Sequence, residues 1–337
     1  MKALVIQEPG RATIEQVPEP VMKPGEALLK VRRVGMCGSD LNSFRGKNPM
    51  VSFPRIPGHE VAATIVELSE PHPRFAAGMD VTLSPYTCCD ECAACRCGRV
   101  NSCQFNQTLG VQRDGAMTEY ISVPIENLYP AELNLEELCM VEPLTVGFHA
   151  VARARVTAAD TVAIFGCGGV GLGAVSASAF RGARTIAIDV DDRKLDIARL
   201  AGAADTIHSQ RTSLADGLRA LTGGHGPSVI IEAVGMAETF RAAVEEVAFT
   251  GRVVYIGYAK EAVTYETKFF VQKELDIMGS RNALPENFRE VIQMLEKRRF
   301  PMDEAVSSIV PLEQAPGILE AWSANPGQFT KIMITLD

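Results

Sequence analysis

Short β-rich runs alternate with turn residues over the first 150 positions. KALVIQ (2–7), EALLKVRRVG (26–35), EVAATIVEL (60–68), DVTLSPY (80–86) and MTEYISVP (117–124) are separated by Pro and Gly, as in PEPVMKPGE and RIPGHE. The pattern predicts a mostly antiparallel β domain. After Thr157 the period changes. TVAIF leads into a glycine turn and an apolar helix over 169–181. TIAID then precedes the amphipathic DDRKLDIARLAGA. DTIHS, SLADGLRALTG, SVIIEAVG, a helix over 237–247, GRVVYIG and LDIMGS continue the alternation. Strands alternating with helices predict a parallel sheet wrapped by helices. From Pro285 a helix, PENFREVIQMLEKRR, precedes a return to the mixed style, and FTKIMITLD reads as a closing strand.

A chain of 337 residues is most simply two domains. Hydrophobic content of 47% and charged content of 22% are ordinary for a globular protein, so disulfide staples are not required. The net charge of −8, without a long basic run, argues against nucleic acid or an anionic membrane as partner. From Thr161 to Phe180 no residue is charged, which is the length of a membrane span, but five glycines in eight positions predict a turn instead. The start, MKALVIQEPG, does not read as a secretory signal. The expected compartment is therefore the cytoplasm, where clustered cysteines more often bind metal than form bridges.

The strand TVAIF runs directly into GCGGVG, in which Gly166, Gly168 and Gly171 fit G-x-G-x-x-G. A helix follows, and the next strand ends in Asp189, 18 residues after the last glycine. In a dinucleotide site the first glycine makes the tight turn, the second admits the pyrophosphate, and the third lets helix and strand pack closely. The helix N-terminus then faces the phosphates. Asp189 would accept from a ribose 2′-hydroxyl and repel a 2′-phosphate, which favours NAD over NADP. The alternative is a glycine turn that serves packing alone.

Six of the nine cysteines fall between Thr87 and Gln104. Cys89-x2-Cys92-x2-Cys95-x7-Cys103 suits a closed, tetrahedral, four-cysteine zinc site. An iron–sulfur run would want its fourth cysteine where Arg99 stands, followed by a proline, whereas Cys103 is followed by Gln104. A disulfide knot and a nucleic-acid zinc ribbon fit the compartment and the charge less well. Cys88 and Cys97 are surplus, and Cys88 would substitute for Cys89 by a slip of one position. A closed site leaves no place for a substrate, so chemistry belongs elsewhere. GMCGSD carries Cys37 and Asp40, PGHE carries His59 and Glu60, and VEPLTVGFHA carries Glu142. Cysteine, histidine and carboxylate together are the ligands of a catalytic zinc with one open position. Taken singly, Cys37 reads as buried filler and each glutamate as a surface charge.

GMCGSD, PGHE, the cysteine lobe, EPLTVGFHA and GCGGVG, in this order, resemble the zinc-containing medium-chain dehydrogenase/reductase family across essentially the whole chain. EPL is similar to the polyol (sorbitol- and threonine-dehydrogenase-like) branch. MGSRNALPENF resembles its sugar-acid and hexitol members, of the L-galactonate 5-dehydrogenase kind. The resemblance implies an α/β fold: a GroES-like, mostly-β catalytic domain (1–146 and 285–337, zinc lobe about 86–106) around a Rossmann doubly wound NAD-binding domain (147–284). It assigns Cys37, His59 and Glu60 to the catalytic zinc. Glu142 becomes either a ligand or the holder of a zinc-bound water. Asp40 would orient the ligating histidine. Ser39 would reach the substrate oxygen, Lys194 the adenosine ribose, and the Gly169 and Val170 backbone the pyrophosphate. It further implies a homodimer or homotetramer acting on a small polyol or sugar acid.

Many members carry a proton-relaying histidine five residues after the first ligand, where this chain has Asn42. Proton release would then pass through Ser39 and the cofactor ribose, or through water near Glu142. One carboxylate with Cys37 and neutral His59 makes the zinc site formally neutral, which favours the water-linked role for Glu142. Arg281, after the last parallel strand, is a candidate to grip a substrate carboxylate or polyol hydroxyls. A surface arginine or one paired with a carboxylate is the other reading. The competing functions are a threonine or simple-alcohol dehydrogenase of the same family and a non-catalytic zinc scaffold. A scaffold would need the four cysteines alone.

Overall fold

The computed structural model describes residues 1–336 and divides the chain into two compact units, 1–142 with 302–337, and 143–301. The division differs from the expected one mainly at its second crossing, at 301/302 rather than 284/285. The helix Pro285–Glu296 packs within the second unit: Asn287 bonds His149 at 3.0 Å, and Glu290 accepts from Arg181 at 3.0 Å. The helix Leu135–Arg153 contributes to both units, changing over after Glu142.

The first unit is a seven-stranded sheet. Its order is Val306–Pro311, Lys331–Thr335, Glu26–Met36, Glu60–Leu68, Asp80–Leu83 and Leu128–Pro130, with Tyr120–Pro124 also pairing with Glu26–Met36. Every pairing is antiparallel except that of Val306–Pro311 with Lys331–Thr335. Alternate residues of Glu26–Met36 are buried as far as Val31, as one-sided burial of a strand requires, and the register shift after Val31 breaks the alternation. Leu4, Leu29, Val34, Ile65, Leu83, Met117 and Ile334 form the core. The hairpin Lys2–Glu8 with Arg11–Gln16 packs its apolar side into it, and its second strand was not legible as one.

The second unit is a six-stranded, wholly parallel sheet ordered Asp205–His208, Arg184–Asp189, Thr161–Phe165, Val229–Glu232, Arg252–Tyr255 and Asp276–Gly279. Numbered from Thr161–Phe165, this is 3-2-1-4-5-6, the doubly wound order, with its switch point between the first and fourth strands. Those strands read as continuous apolar runs because helices cover both faces, and all four residues of Val229–Glu232 are buried. The uncharged stretch from Thr161 is this first strand, a turn and the helix Gly169–Phe180. At 12 residues that helix is about 18 Å long, short of a bilayer core. Among the described residues no helix is long and apolar enough to cross a membrane.

Candidate active site

Two adjacent strands of the first unit bring three of the predicted ligands to one end of the sheet. Glu26–Met36 delivers Cys37 at its end, Glu60–Leu68 begins at Glu60 just after His59, and Gly35 pairs with Glu60. One ligand atom each from Cys37, His59 and Glu60 lie within 4.8 Å of one another, with His59 and Glu60 buried. Cys37 also caps the helix Gly38–Phe44.

Asp40 is the third residue of that helix and its carboxylate is buried. Its oxygens accept from the backbone N–H of Cys37 (2.8 Å) and of Gly58 (3.3 Å). Asp40 and His59 also act on each other electrostatically. The carboxylate ties together the backbone of the two ligand segments, because at the third helical position it lies over the helix's own free N–H groups. The Nδ1 of His59 is buried and has no hydrogen-bond partner.

Glu142 enters from the helix Leu135–Arg153, on the same face as Cys139, whose Sγ contacts the Glu60 carbonyl at 3.4 Å. The Tyr86 hydroxyl donates to the Glu142 carboxylate. Burial, followed by the neighbouring Glu142, pushes the Tyr86 phenol up. Burial also raises the Glu142 carboxyl, against the opposing influence of His59. Opposite them Lys331 donates to both oxygens of Glu60, at 2.7 Å each, and to the Met36 carbonyl at 3.2 Å. Tyr86 and Lys331 were missed in the sequence. Tyr86 stands next to the cysteine lobe, and Lys331 reaches the site only through sheet pairing.

The donor set fits zinc. Burial alone would lower the His59 pKa, yet Cys37, Asp40 and Glu142 raise it well above the ordinary value. A dication would answer that concentration of acidic groups and the unpartnered Nδ1 together. Ser39 offers a second buried atom without a partner, its Oγ. Asn42 is exposed on the same helix.

The four predicted lobe cysteines are gathered into one cluster. Cys92 and Cys95 Sγ are 3.5 Å apart, Cys92 and Cys103 4.0 Å, and Cys89 and Cys103 3.6 Å. A tetrahedron with Zn–S bonds of about 2.3 Å has edges of about 3.8 Å, so the sulfurs already hold that shape. Backbone N–H groups of Cys92 and Phe105 donate to Cys89 and Cys103 sulfur at 3.3 Å. Cys88 and Cys97 are exposed and outside the cluster, and burial with Asp90 pushes the Cys88 thiol up to about 11.

In the second unit Gly166 has a φ of +90°, which favours glycine, and a Cβ on Gly171 would lie 1.8 Å from the Gly166 carbonyl oxygen. A Cβ on Gly168 would meet nothing within 4 Å, so that position is open to a ligand. The first intrahelical bond runs from Leu172 N–H to Gly168 carbonyl, at 2.8 Å. The N–H groups of Gly169, Val170 and Gly171 therefore have no partner along the helix. Free N–H groups at a helix N-terminus suit an anionic group. Asp189 lies at the end of its strand and accepts from Cys167 N–H and Val190 N–H, both at 2.7 Å. Burial chiefly raises the Cys167 thiol, Asp189 adds to it and Lys194 opposes it, so both charged groups flank the turn. Arg281 is exposed, two residues beyond the strand Asp276–Gly279.

Residues 169–297 match the zinc-binding dehydrogenase family model, and residues 23–133 match the alcohol dehydrogenase GroES-like domain. The chain is 31% identical to the L-galactonate-5-dehydrogenase of Escherichia coli (strain K12), over 99% of each chain. It is 31% identical to the sorbitol dehydrogenase of Bacillus subtilis (strain 168), over 99% of this chain and 97% of the other. Two solved structures share the fold. An alcohol dehydrogenase from E. coli CFT073 complexed with NADH gives a TM-score of 0.92 at 27% identity, covering 100% of this chain and 99% of that one. A zinc-binding dehydrogenase from Sinorhizobium meliloti bound to NADP gives 0.91 at 27%, covering 99% of each.

Proposed function

Because the chain belongs to the zinc-containing medium-chain dehydrogenase/reductase family, we propose that it interconverts a secondary alcohol of a polyol or sugar acid and the corresponding ketone, with NAD as the hydride carrier. The overall change is secondary alcohol + NAD⁺ ⇌ ketone + NADH + H⁺. The observation that carries this reading is the Cys37–His59–Glu60 donor set, with His59 and Glu60 buried and His59 Nδ1 unpartnered, separate from a closed four-cysteine lobe. Bound zinc supplies Lewis acidity that lowers the pKa of an alcohol oxygen, and the nicotinamide accepts the hydride.

The chain's own residues supply the rest. Cys37, His59 and Glu60 hold the catalytic metal, and Cys89, Cys92, Cys95 and Cys103 hold the structural one. Asp40 keeps the two ligand segments in register through their backbone. Glu142, gripped by Tyr86, holds a water or the substrate hydroxyl beside the metal. Ser39, with a free buried hydroxyl, would be the group offered to the reacting oxygen, since Asn42 cannot titrate. Gly166, Gly168, Gly169, Val170 and Gly171 receive the pyrophosphate, Asp189 the adenosine ribose hydroxyls, and Lys194 stands beside that ribose. Arg281 grips a substrate carboxylate with its planar fork.

Absorbance at the reduced-nicotinamide band, across hexitols, pentitols and aldonates, with NAD or NADP and with or without chelator, tests the reading. We expect NAD-linked turnover of one of these classes, lost on zinc removal, with Arg281→Ala raising the KM of an acidic substrate. No turnover with any of them sinks the reading. For assembly and compartment we propose a cytoplasmic homodimer or homotetramer, as in the resemblance, which light scattering and fractionation check.

A further inference from the structure

Glu232 ends the fourth strand of the parallel sheet, at the switch point, and its side chain is fully buried. Its Oε1 accepts three hydrogen bonds, from Val234 N–H at 2.9 Å, Gly235 N–H at 2.8 Å and the Thr239 hydroxyl at 2.7 Å. Its Oε2 is buried without a partner. Burial raises the carboxyl's pKa, with those three donors opposing it. The next strand's loop is shaped around the acid, since a Cβ on Gly257 would lie 2.5 Å from Oε2. The Glu232 carbonyl also accepts from Ile256 N–H (2.9 Å) and Gly257 N–H (3.2 Å).

The segment so gathered, Ala233–Met236, is wedged against the glycine turn. A Cβ on Gly166 would come 2.8 Å from Val234 Cγ2 and 3.3 Å from the Ala233 carbonyl oxygen. On its other side a Cβ on Gly235 would meet the Tyr258 carbonyl oxygen at 2.9 Å. The inward-facing donors all bend onto one buried oxygen, while Val234 and Met236 turn their side chains to the surface, 44% and 54% exposed. Exposed apolar groups beside an open pyrophosphate cradle are a surface that a bound ligand covers.

We propose that Glu232 is a positioning residue for the dinucleotide: it fixes Ala233–Met236 in the conformation that clears the glycine turn and presents Val234 and Met236 to the bound cofactor. The inference rests on the dinucleotide reading of this unit. It predicts an effect on cofactor binding that is separable from the metal sites.

Fluorescence titration of the zinc-loaded protein with NADH and with NADPH tests it, using wild type, Glu232→Gln, Glu232→Ala and Thr239→Val. Glu232→Gln keeps an oxygen acceptor and is expected to bind within about threefold of wild type, while Glu232→Ala weakens binding about tenfold or more. Thr239→Val removes one donor of three, is the milder change should Glu232→Ala fail to fold, and is expected to weaken binding about threefold. Zinc content stays at the wild-type level, and the KM for NAD rises while the KM for the alcohol at saturating NAD does not. Wild-type affinity in Thr239→Val, or in a folded Glu232→Ala, overturns the proposal, as does loss of zinc in step with loss of cofactor. A wild-type protein that binds neither NADH nor NADPH overturns instead the dinucleotide reading beneath it.

Discussion

The Lys331 ammonium lies 2.7 Å from both carboxylate oxygens of Glu60, and the two residues stand on strands that do not pair with each other. The strand Glu26–Met36 runs between them, and Gly35 on it is what lets the side chains meet. A Cβ at that position would sit 1.9 Å from Glu60 Oε2. Both partners are buried, so the ammonium holds the carboxylate beside Cys37 and His59 at a fixed place. Burial lowers the lysine pKa, but Glu60 and Cys37 more than offset it.

Lys331→Met therefore leaves a buried carboxylate without its cation. Removing one partner of a buried pair costs about 3–5 kcal/mol, and a bound dication beside Glu60 should recover part of that. Urea unfolding with and without zinc checks this. A large loss for the metal-free variant and a smaller one for the loaded variant are expected. A loss below about 1 kcal/mol in both forms would show that the pair is dispensable.

The cysteine lobe makes a sharper claim about which sulfurs matter. Cys103 is fully buried within the cluster, whereas Cys88 is exposed and bonds Asp90. Cys103→Ser should lower the zinc content by one ion per chain and bring early unfolding, and Cys88→Ser should change neither. Elemental analysis with thermal melts reads both. If instead Cys88→Ser lost zinc and Cys89→Ser kept it, the ligand register would be one residue out.

Asp189 does two things at once. Its carboxylate ties the end of its strand to the glycine turn through Cys167 N–H, and on the proposed function its remaining lone pairs would receive a ribose. Asp189→Ser should cut kcat/KM for NAD by about tenfold or more and raise it for NADP. Because the brace on the turn is lost as well, NADP turnover should stay below the wild-type NAD value. Steady-state kinetics with both cofactors decide it, and an unchanged NAD-to-NADP ratio would remove Asp189 from cofactor choice.

The pH dependence of the parallel-sheet unit should be set in part by Asp160. Burial raises its pKa, but Thr157 N–H at 2.8 Å, the Ser228 hydroxyl at 2.8 Å and Arg252 outweigh burial and hold it below the ordinary value. A depressed folded-state pKa contributes stability above the unfolded-state value of about 3.9, and that contribution is lost as pH falls through the folded value. Asp160→Asn should thus be about 2–4 kcal/mol less stable than wild type from pH 5 to 8, with the gap closing below about pH 4. Urea midpoints at pH 7, 5 and 3.5 check it, and a gap that persists at the lowest pH counts against the ionic origin.

What was legible in the chain was local. The glycine turn is legible in the six residues GCGGVG, and the cysteine cluster in fifteen, because a turn and a tetrahedral cluster are built from near neighbours. Cys37, His59 and Glu60 were legible only as a set of residue types, since strand pairing brings them together. Lys331 gave no signal at all: it is separated from Glu60 by 271 positions and lies in an ordinary-looking strand. Asp40 was legible as a carboxylate near the ligands, but not its bond to the Cys37 N–H, which a carboxylate three residues after a helix cap makes to its own backbone. Glu232 drew no notice within SVIIEAVG, and only its buried surroundings mark it out.

The two glutamates of the catalytic site can be told apart by metal content. Glu60 supplies an oxygen within 4.8 Å of the Cys37 and His59 donor atoms, and among the described residues Glu142 is not part of that group. Glu142 instead receives the Tyr86 hydroxyl. A glutamate held in that way suits a water-linked role, and it keeps the ligand set at one thiolate, one imidazole and one carboxylate, formally neutral toward a dication. Glu60→Gln should therefore lose the catalytic zinc, leaving about one ion per chain in the cysteine lobe. Glu142→Gln should keep two ions per chain and lose about tenfold or more in kcat. Tyr86→Phe should fall between wild type and Glu142→Gln in rate, with zinc retained. Metal analysis beside single-turnover rates reads all three, and loss of one zinc from Glu142→Gln would make Glu142 a direct ligand.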